Sequence, residues 1–161
     1  MPLPVDDDGL VVDALDALPG LRAVCVGPAH QAATGCVLPP HRRTALLDWA
    51  RRAGGLIVED DDDSEFSYDR PALPPMQGTD RDRVALLGSM SRTMTPTVNI
   101  GWVVASRRWV QAIRTDPKVP LSPPALTQLA LARFIESGAY DRHLRRSRLH
   151  FRARRAALLA A

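Results

Sequence analysis

The sequence LLGSMSRTMTPTVNIGW, residues 86–102, is the most informative part of this chain because it joins two short apolar runs through a loop of small polar residues. The first run is VALL at 84–87, and the second covers 100–105. Short, continuous apolar runs are typical of strands in a sheet that is covered on both faces. The loop between them carries three polar side chains of interest: Ser89, Ser91 and Arg92. Open α/β sheets bind ligands at such strand ends, so we expect a ligand site here.

Outside this stretch, strand patterns alternate with helical patterns. Further strands are predicted at 21–26 and 56–58, and helices are predicted at 41–53, 106–114, 125–137 and 140–161. Pro39-Pro40 begins the first helix, Gly54-Gly55 ends it, and Ser106 is a candidate cap of the second. This alternation predicts an α/β protein with a mostly parallel sheet and helices on both faces.

Length and composition fit one domain with a real core. The chain has 161 residues, of which 45% are apolar, and its net charge is only +3. The first residues lack the apolar segment of a secretory signal, and no apolar run is long enough for a membrane span. We therefore expect a cytoplasmic protein without membrane contact. Cys25 and Cys36 lack metal-site spacing, and Cys25 is expected to be a small buried hydrophobe.

An acidic run follows the strand at 56–58. Asp60 is placed to hold the proton of a bound ring nitrogen, although a solvated acidic turn explains the run equally well. A calcium loop is disfavoured because Glu65 stands where its sharp turn needs glycine. His30 follows the strand at 21–26 and could stack on a ring or donate to it, but a merely exposed histidine is the more common case.

The last predicted helix is strongly basic, with seven arginines between Arg142 and Arg155. Such a helix can contact nucleic acid, but no glycine, and of Phe, Tyr and Trp only Phe151, is interleaved among the arginines. A charged outer face on an amphipathic helix is the favoured interpretation. Lys118 is the only lysine in the chain, and it is expected to be a surface residue.

Five ordered blocks of the chain resemble the aminotransferase-like domain of MocR-type regulators. The blocks are PVDDDGLVVDAL (4–15), AVCVGPAHQAATG (23–35), LPPHRRTALLDWARRAGGLIVEDDDDSEFSYDR (38–70), LLGSMSRTMTPTVNIGWVVA (86–105) and LARFIESGAYDRHLRRSR (131–148). That domain has the fold of the fold type I enzymes that use pyridoxal 5'-phosphate (PLP), and in these regulators it is usually joined to a GntR-class winged helix. The resemblance implies that residues 1–161 are part of the large domain. It also implies that residues 139–161 form a basic helix leading toward a small C-terminal domain.

The resemblance assigns roles to residues at the acidic end of the site. Asp60 matches the partner of the pyridine nitrogen. Asp62 stands where the family has a tyrosine that bonds the phenolic oxygen of the cofactor, and an aspartate there would repel that oxygen. His30 is a further cofactor-binding candidate.

At the other end of the site, Ser89 and Ser91 match the phosphate-binding serines. Arg92 occupies the position of the lysine that forms an imine with the cofactor, and Asn99 replaces an arginine that clamps the phosphate. A guanidinium stays protonated and cannot condense with an aldehyde. No catalytic residue is therefore predicted, and PLP binding is expected to be weak or lost.

The resemblance implies a catalytically disabled, PLP-binding part of a transcriptional regulator. Its expected partners are an amino acid or amine ligand and a second copy of the chain, with DNA reached only through a winged helix that this sequence does not contain. Two alternatives stay open. One is an active aminotransferase acting on an amino acid, for which Lys118 would be the only candidate amine. The other is nucleic-acid binding through the basic helix.

Overall fold

A computed structural model describes residues 1–31, 34–61, 64–68, 73–119 and 123–161 of the chain. Its strands are β1 (Val5–Asp6), β2 (Gly9–Leu10), β3 (Ala23–Val26), β4 (Leu56–Asp60), β5 (Val84–Ser89) and β6 (Gly101–Val104). Its α-helices are α1 (Pro40–Ala53), α2 (Arg107–Thr115), α3 (Ala125–Glu136) and α4 (Ala139–Leu159). Short 3-10 helices lie at Val12–Leu15, Ser64–Phe66, Met76–Gly78 and Pro96–Val98.

The main sheet has the strand order β3-β4-β5-β6. Strands β3, β4 and β5 are parallel, and β6 runs antiparallel to β5. The predicted α/β fold with a mostly parallel sheet is confirmed. Since parallel strands end at the same edge, the carboxyl ends of β3, β4 and β5 lie side by side.

One face of the sheet carries the core. Val24 pairs in register with Ile57, and Ile57 with Val84, so these three side chains lie on the same face. They form a cluster with buried side chains of α1, above all Leu46 and Trp49, and with the 3-10 helix at Val12–Leu15.

The opposite face is more open within the described residues. Ala23, Cys25 and Val103 are exposed there, and helices α2, α3 and α4 contain no residue that is fully buried. The prediction that Cys25 is buried is therefore wrong. Successive side chains of a strand point to opposite faces, so the burial of Val24 places Cys25 on the open side.

The helix bounds agree with their local signals. Helix α1 has Pro40 in its first turn, and it ends at Gly54, whose left-handed φ of 65° suits glycine. Ser106 stands at the N-cap position of α2, but its hydroxyl makes no capping hydrogen bond with the described residues. Among the described residues, no helix has both the length and the apolar character needed to span a membrane.

Candidate functional site

A cleft of about 600 Å³ follows β3 and opens at the carboxyl edge of the sheet. Its apolar wall comes from the first residues of the chain and from β3, including Leu3, Leu21 and Ala23. Its polar end lies at the loops that follow the parallel strands, where these side chains line it: His30, Gln31, Asp60, Asp61 and Arg92. Three strand ends thus contribute polar groups to one cleft, as a ligand site in an open α/β sheet requires.

Asp60 reaches the cleft because it is the last residue of β4. It pairs in register with Leu87, and the next amide, Asp61 N–H, donates to Leu87 O at 3.1 Å. The turn after β3 comes close to this strand end. A Cβ on Gly27 would lie 2.9 Å from His30 O, which explains why the turn needs glycine here. The sequence thus brings His30 and Asp60 to the same end of the cleft.

Arg92 enters the cleft from a tight turn after β5. Met90 N–H donates to Ile100 O at 2.9 Å, and Met94 N–H donates to Met90 O at 2.9 Å. These bonds close the turn at both of its ends. Arg92, between them, is exposed and lines the cleft.

The two serines of this turn have another role in the structure. Ser91 N–H donates to Ser89 Oγ at 3.0 Å, so the Ser89 hydroxyl stabilises the turn itself. Neither serine lines the cleft, and both are half-buried. The structure therefore does not bring Ser89 and Ser91 to the cleft beside Arg92.

Asn99 is also outside the cleft. It ends the 3-10 helix at Pro96–Val98 in a left-handed conformation with φ of 45°, which asparagine tolerates better than most residues. Its side chain is exposed. Asp62 lies outside the described residues. Of the predicted site residues, the cleft brings together His30, Asp60 and Arg92.

Sequence reasoning missed Cys25 and Asp61 as lining residues of the cleft. Partial burial of the Cys25 thiol, together with the negative charge of Asp60, raises the pKa of Cys25. The thiol therefore stays neutral at physiological pH and presents a small, weakly polar surface beside Asp60. The two-residue period of β3 could have predicted the position of Cys25. Val24 faces the core, so its neighbour Cys25 must point to the other face of the sheet.

The cleft has groups that can hold the ring and the phosphate of PLP, but it has no described lysine that could form an imine with the aldehyde. Asp60 is a carboxylate that can hold a pyridine proton, and Arg92 offers the planar donor fork that binds phosphate. No lysine lines the cleft among the described residues, since Lys118 lies in the segment after α2 and is exposed. The donor set thus fits a ring and a phosphate held by non-covalent contacts.

Comparison with solved structures defines the class of protein. The multiple substrate aminotransferase of Thermococcus profundus matches 99% of this chain and 42% of its own, with a TM-score of 0.85 and 28% identity. No protein-family model matches the chain. The fold is that of the aminotransferases of fold type I, a class whose members use PLP.

Comparison with curated proteins shows that the chain is similar to part of several transcriptional regulators. The pyridoxine biosynthesis transcriptional regulator PdxR of Corynebacterium glutamicum is 40% identical over 154 residues, which are 95% of this chain and 34% of PdxR. The probable rhizopine catabolism regulatory protein MocR of Rhizobium meliloti is 34% identical over 162 residues, or 99% of this chain and 33% of its own. The chain is thus an aminotransferase-like relative of the MocR-type regulators, and it spans about a third of the length of these proteins.

Proposed function

We propose that this chain is the ligand-binding, aminotransferase-like part of a MocR-type regulator, and that it holds PLP without a covalent bond. In this proposal the pocket is catalytically disabled and senses a ligand. The observation that supports it most directly is Arg92. It occupies the turn after β5, lines the cleft beside Asp60, and stands where the family resemblance places the reactive lysine.

The chemistry of arginine excludes one role and favours another. A guanidinium remains protonated at every relevant pH, so it has no free amine to attack an aldehyde. The same group binds a phosphate through two parallel, charge-assisted hydrogen bonds. Arg92 would therefore replace a covalent tether by an ionic one, while Asp60 holds the ring nitrogen. When bound, PLP would supply an electron-withdrawing ring and an aldehyde.

The expected affinity is modest, since few groups remain to hold the phosphate. Asn99, which replaces the phosphate-clamping arginine of the family, lies outside the cleft. Ser89 uses its hydroxyl on Ser91 N–H. A charge-assisted hydrogen bond contributes about 1.5–3 kcal/mol, so loss of Arg92 should weaken PLP binding roughly tenfold to a hundredfold.

The resemblance supports the remaining parts of the proposal. The ligand sensed beside the cofactor would be an amino acid or a related amine. The working form would be a cytoplasmic dimer, with residues 139–161 leading toward a small C-terminal domain. DNA would be bound by a winged helix joined to this part, as the regulatory names of the relatives suggest.

The test is a PLP titration followed by absorption, on the wild type and on three variants. We expect the wild type to bind PLP reversibly and to lose it on dialysis. Arg92→Lys should restore the visible imine band and retain PLP on dialysis, because an amine then faces the aldehyde. Arg92→Ala should bind about tenfold to a hundredfold more weakly than the wild type, from the loss of the charge-assisted bonds.

Arg145→Lys is the matched control, since it adds an amine on the exposed surface of α4 and does not line the cleft. It should behave like the wild type. Iodoacetamide labelling of Cys25 gives a second readout, because PLP in the cleft should slow labelling of Cys25 without affecting Cys36. An imine band in the wild type that Lys118→Gln removes would support the active-aminotransferase alternative instead. Equal PLP affinity in the wild type and Arg92→Ala would show that Arg92 does not bind the phosphate.

A further inference from the structure

Helix α4 contacts the loops that follow both site-bearing strands. Near its beginning, His143 Nε2 lies 2.8 Å from Thr93 O, in the turn that carries Arg92. About two turns further along the helix, the Phe151 ring packs edge-on against Phe66, with centroids 5.4 Å apart, in the segment that follows β4 and Asp60. Arg152 Nη2 also donates to Tyr68 O at 3.3 Å.

The contact between His143 and Thr93 is a defined hydrogen bond. A carbonyl oxygen only accepts, so His143 Nε2 must carry the proton and donate it. Thr93 directly follows Arg92 and is only 5% exposed, so its carbonyl sits at a packed point of the turn. The imidazole is itself held by α3, because the Phe134 ring lies 6.2 Å from it between centroids.

We propose that His143 is a positioning residue that fixes the Arg92 turn, and that helix α4 thereby responds to occupancy of the cleft. The response to a ligand rests on the proposed function, which names PLP as that ligand. The hydrogen bond between His143 and Thr93 is present without any ligand. If the bond favours the turn conformation that binds phosphate, then ligand binding must strengthen the bond by the same factor, because coupling between two sites is reciprocal.

The geometry of α4 extends this coupling from one loop to the other. His143 and Phe151 are eight positions apart on one helix, a separation of about 12 Å along its axis. A single continuous helix therefore contacts both the loop after β4 and the loop after β5. A shift of the Arg92 turn on ligand binding would move the same helix that packs against the segment following Asp60.

The experiment compares His143→Ala and His143→Gln with the wild type. The glutamine amide offers an N–H near the position of His143 Nε2, so it can restore the donor. His150→Ala is the control, since His150 lies on the exposed surface of the same helix, and among the described residues its ring contacts Phe151, at 5.8 Å between centroids, and not the Arg92 turn. Hydrogen exchange is measured without ligand and with saturating PLP, and PLP affinity is measured by titration.

Without ligand, His143→Ala should exchange the Met94 amide faster, because that amide closes the Arg92 turn. The PLP affinity of His143→Ala should fall about two- to tenfold, the range for one hydrogen bond. His143→Gln should restore most of the PLP affinity and most of the protection of the Met94 amide. In the wild type, PLP should slow exchange of the α4 amides near His143, and this effect should vanish in His143→Ala. His150→Ala should match the wild type throughout.

Unchanged exchange of the turn in His143→Ala would overturn the positioning role, and so would a failure of His143→Gln to rescue it. PLP binding that leaves α4 exchange unaltered in the wild type would overturn the coupling. If the wild type does not bind PLP, the proposed function and the coupling fail together, while the ligand-free exchange of the Met94 amide still decides the positioning role.

Discussion

Glu59, directly before Asp60 in β4, is a buried carboxylate that fixes the neighbouring loop around Met76 and Gln77. Its side chain is 2% exposed and accepts two backbone hydrogen bonds, from Met76 N–H at 2.9 Å and Gln77 N–H at 3.0 Å. Arg43 holds the same loop, donating to Pro74 O at 2.9 Å and to Leu38 O at 3.1 Å. Two charged side chains thus fix the loop beside the strand that carries Asp60.

Replacing Glu59 by glutamine should lower the free energy of unfolding by about 1–3 kcal/mol. The amide oxygen can accept from one backbone N–H, but its NH2 group would face the other and leave it unpaired. Urea unfolding of the variant and the wild type at neutral pH gives this difference. Glu65→Gln is the control because Glu65 is exposed, and it should change stability by less than about 0.5 kcal/mol. Equal stability of Glu59→Gln and the wild type would contradict this role.

Glu59 should also make stability depend on pH. Burial raises the pKa of Glu59, and this outweighs the lowering by the two backbone N–H groups and by Arg43. The folded state then binds the Glu59 proton more tightly than the unfolded state does. The contribution of Glu59 to stability must therefore fall as pH rises from its ordinary pKa of 4.5 to the raised folded value. The unfolding free energy of the wild type minus that of Glu59→Gln, measured across this range, should fall with rising pH. Glutamine does not titrate, so the hydrogen bonds that it loses add a constant to this difference. A difference that rises would contradict the direction of the shift.

At the scale of elements, the helices and main strands could be predicted because their signals are local. Pro40 and Gly54 mark the ends of α1, and apolar runs mark β3 to β6. The pairing of β1 with β2 was not predicted, since each strand has only two residues and carries no periodicity. The antiparallel direction of β6 was not predicted either, because pairing direction depends on how the connecting loop turns.

The pairing of β5 with β6 depends on a glycine. Gly88 is opposite Trp102 in register, and a Cβ on Gly88 would lie 2.3 Å from the indole ring. Gly88→Ala should therefore displace Trp102 and lower the free energy of unfolding by about 1–3 kcal/mol, the usual range for overpacking. Thermal or urea unfolding measures the change.

Gly78→Ala is the matched control for this substitution. A Cβ on Gly78 meets nothing within 4 Å, and its φ is not positive. The control should be nearly neutral. If Gly88→Ala proved as harmless as Gly78→Ala, then the contact between Trp102 and the backbone of β5 would not contribute to stability.

At the scale of the whole molecule, burial is uneven along the chain. The buried residues of the main hydrophobic cluster lie between Leu10 and Val84, and the buried apolar residues that the structure describes end at Met90. Helices α2, α3 and α4 contain no fully buried residue among those described, and Leu126 of α3 is 79% exposed. Local stability depends on buried contacts, so the two parts of the chain should open with different free energies.

Native-state hydrogen exchange should show this difference. The amides of β4 and β5 should be the most protected and should exchange only through global unfolding. Those of α3 should exchange through local opening, at a free energy lower by at least about 2 kcal/mol. Uniform protection across β4, β5 and α3 would show that the helices are part of the same cooperative unit.

The candidate site could be predicted in part from the sequence. His30, Asp60 and Arg92 meet because parallel strands end at one edge, and that edge follows from the strand order of the fold. The positions of Ser89 and Asn99 could not be predicted, since each depends on the local turn that its own backbone forms. The cleft wall near Leu3 depends on long-range packing that no local pattern encodes, whereas the two-residue period of β3 could have placed Cys25 on the open face of the sheet.

Borohydride reduction followed by mass spectrometry shows whether PLP is held in the cleft without a covalent bond. Borohydride fixes any imine between PLP and an amine as a stable adduct, and peptide mapping then separates a lysine adduct from labelling of the first residue. We expect that PLP-saturated wild type gains no stoichiometric lysine adduct, while Arg92→Lys gains one at position 92. A stoichiometric adduct on Lys118 of the wild type would contradict this expectation.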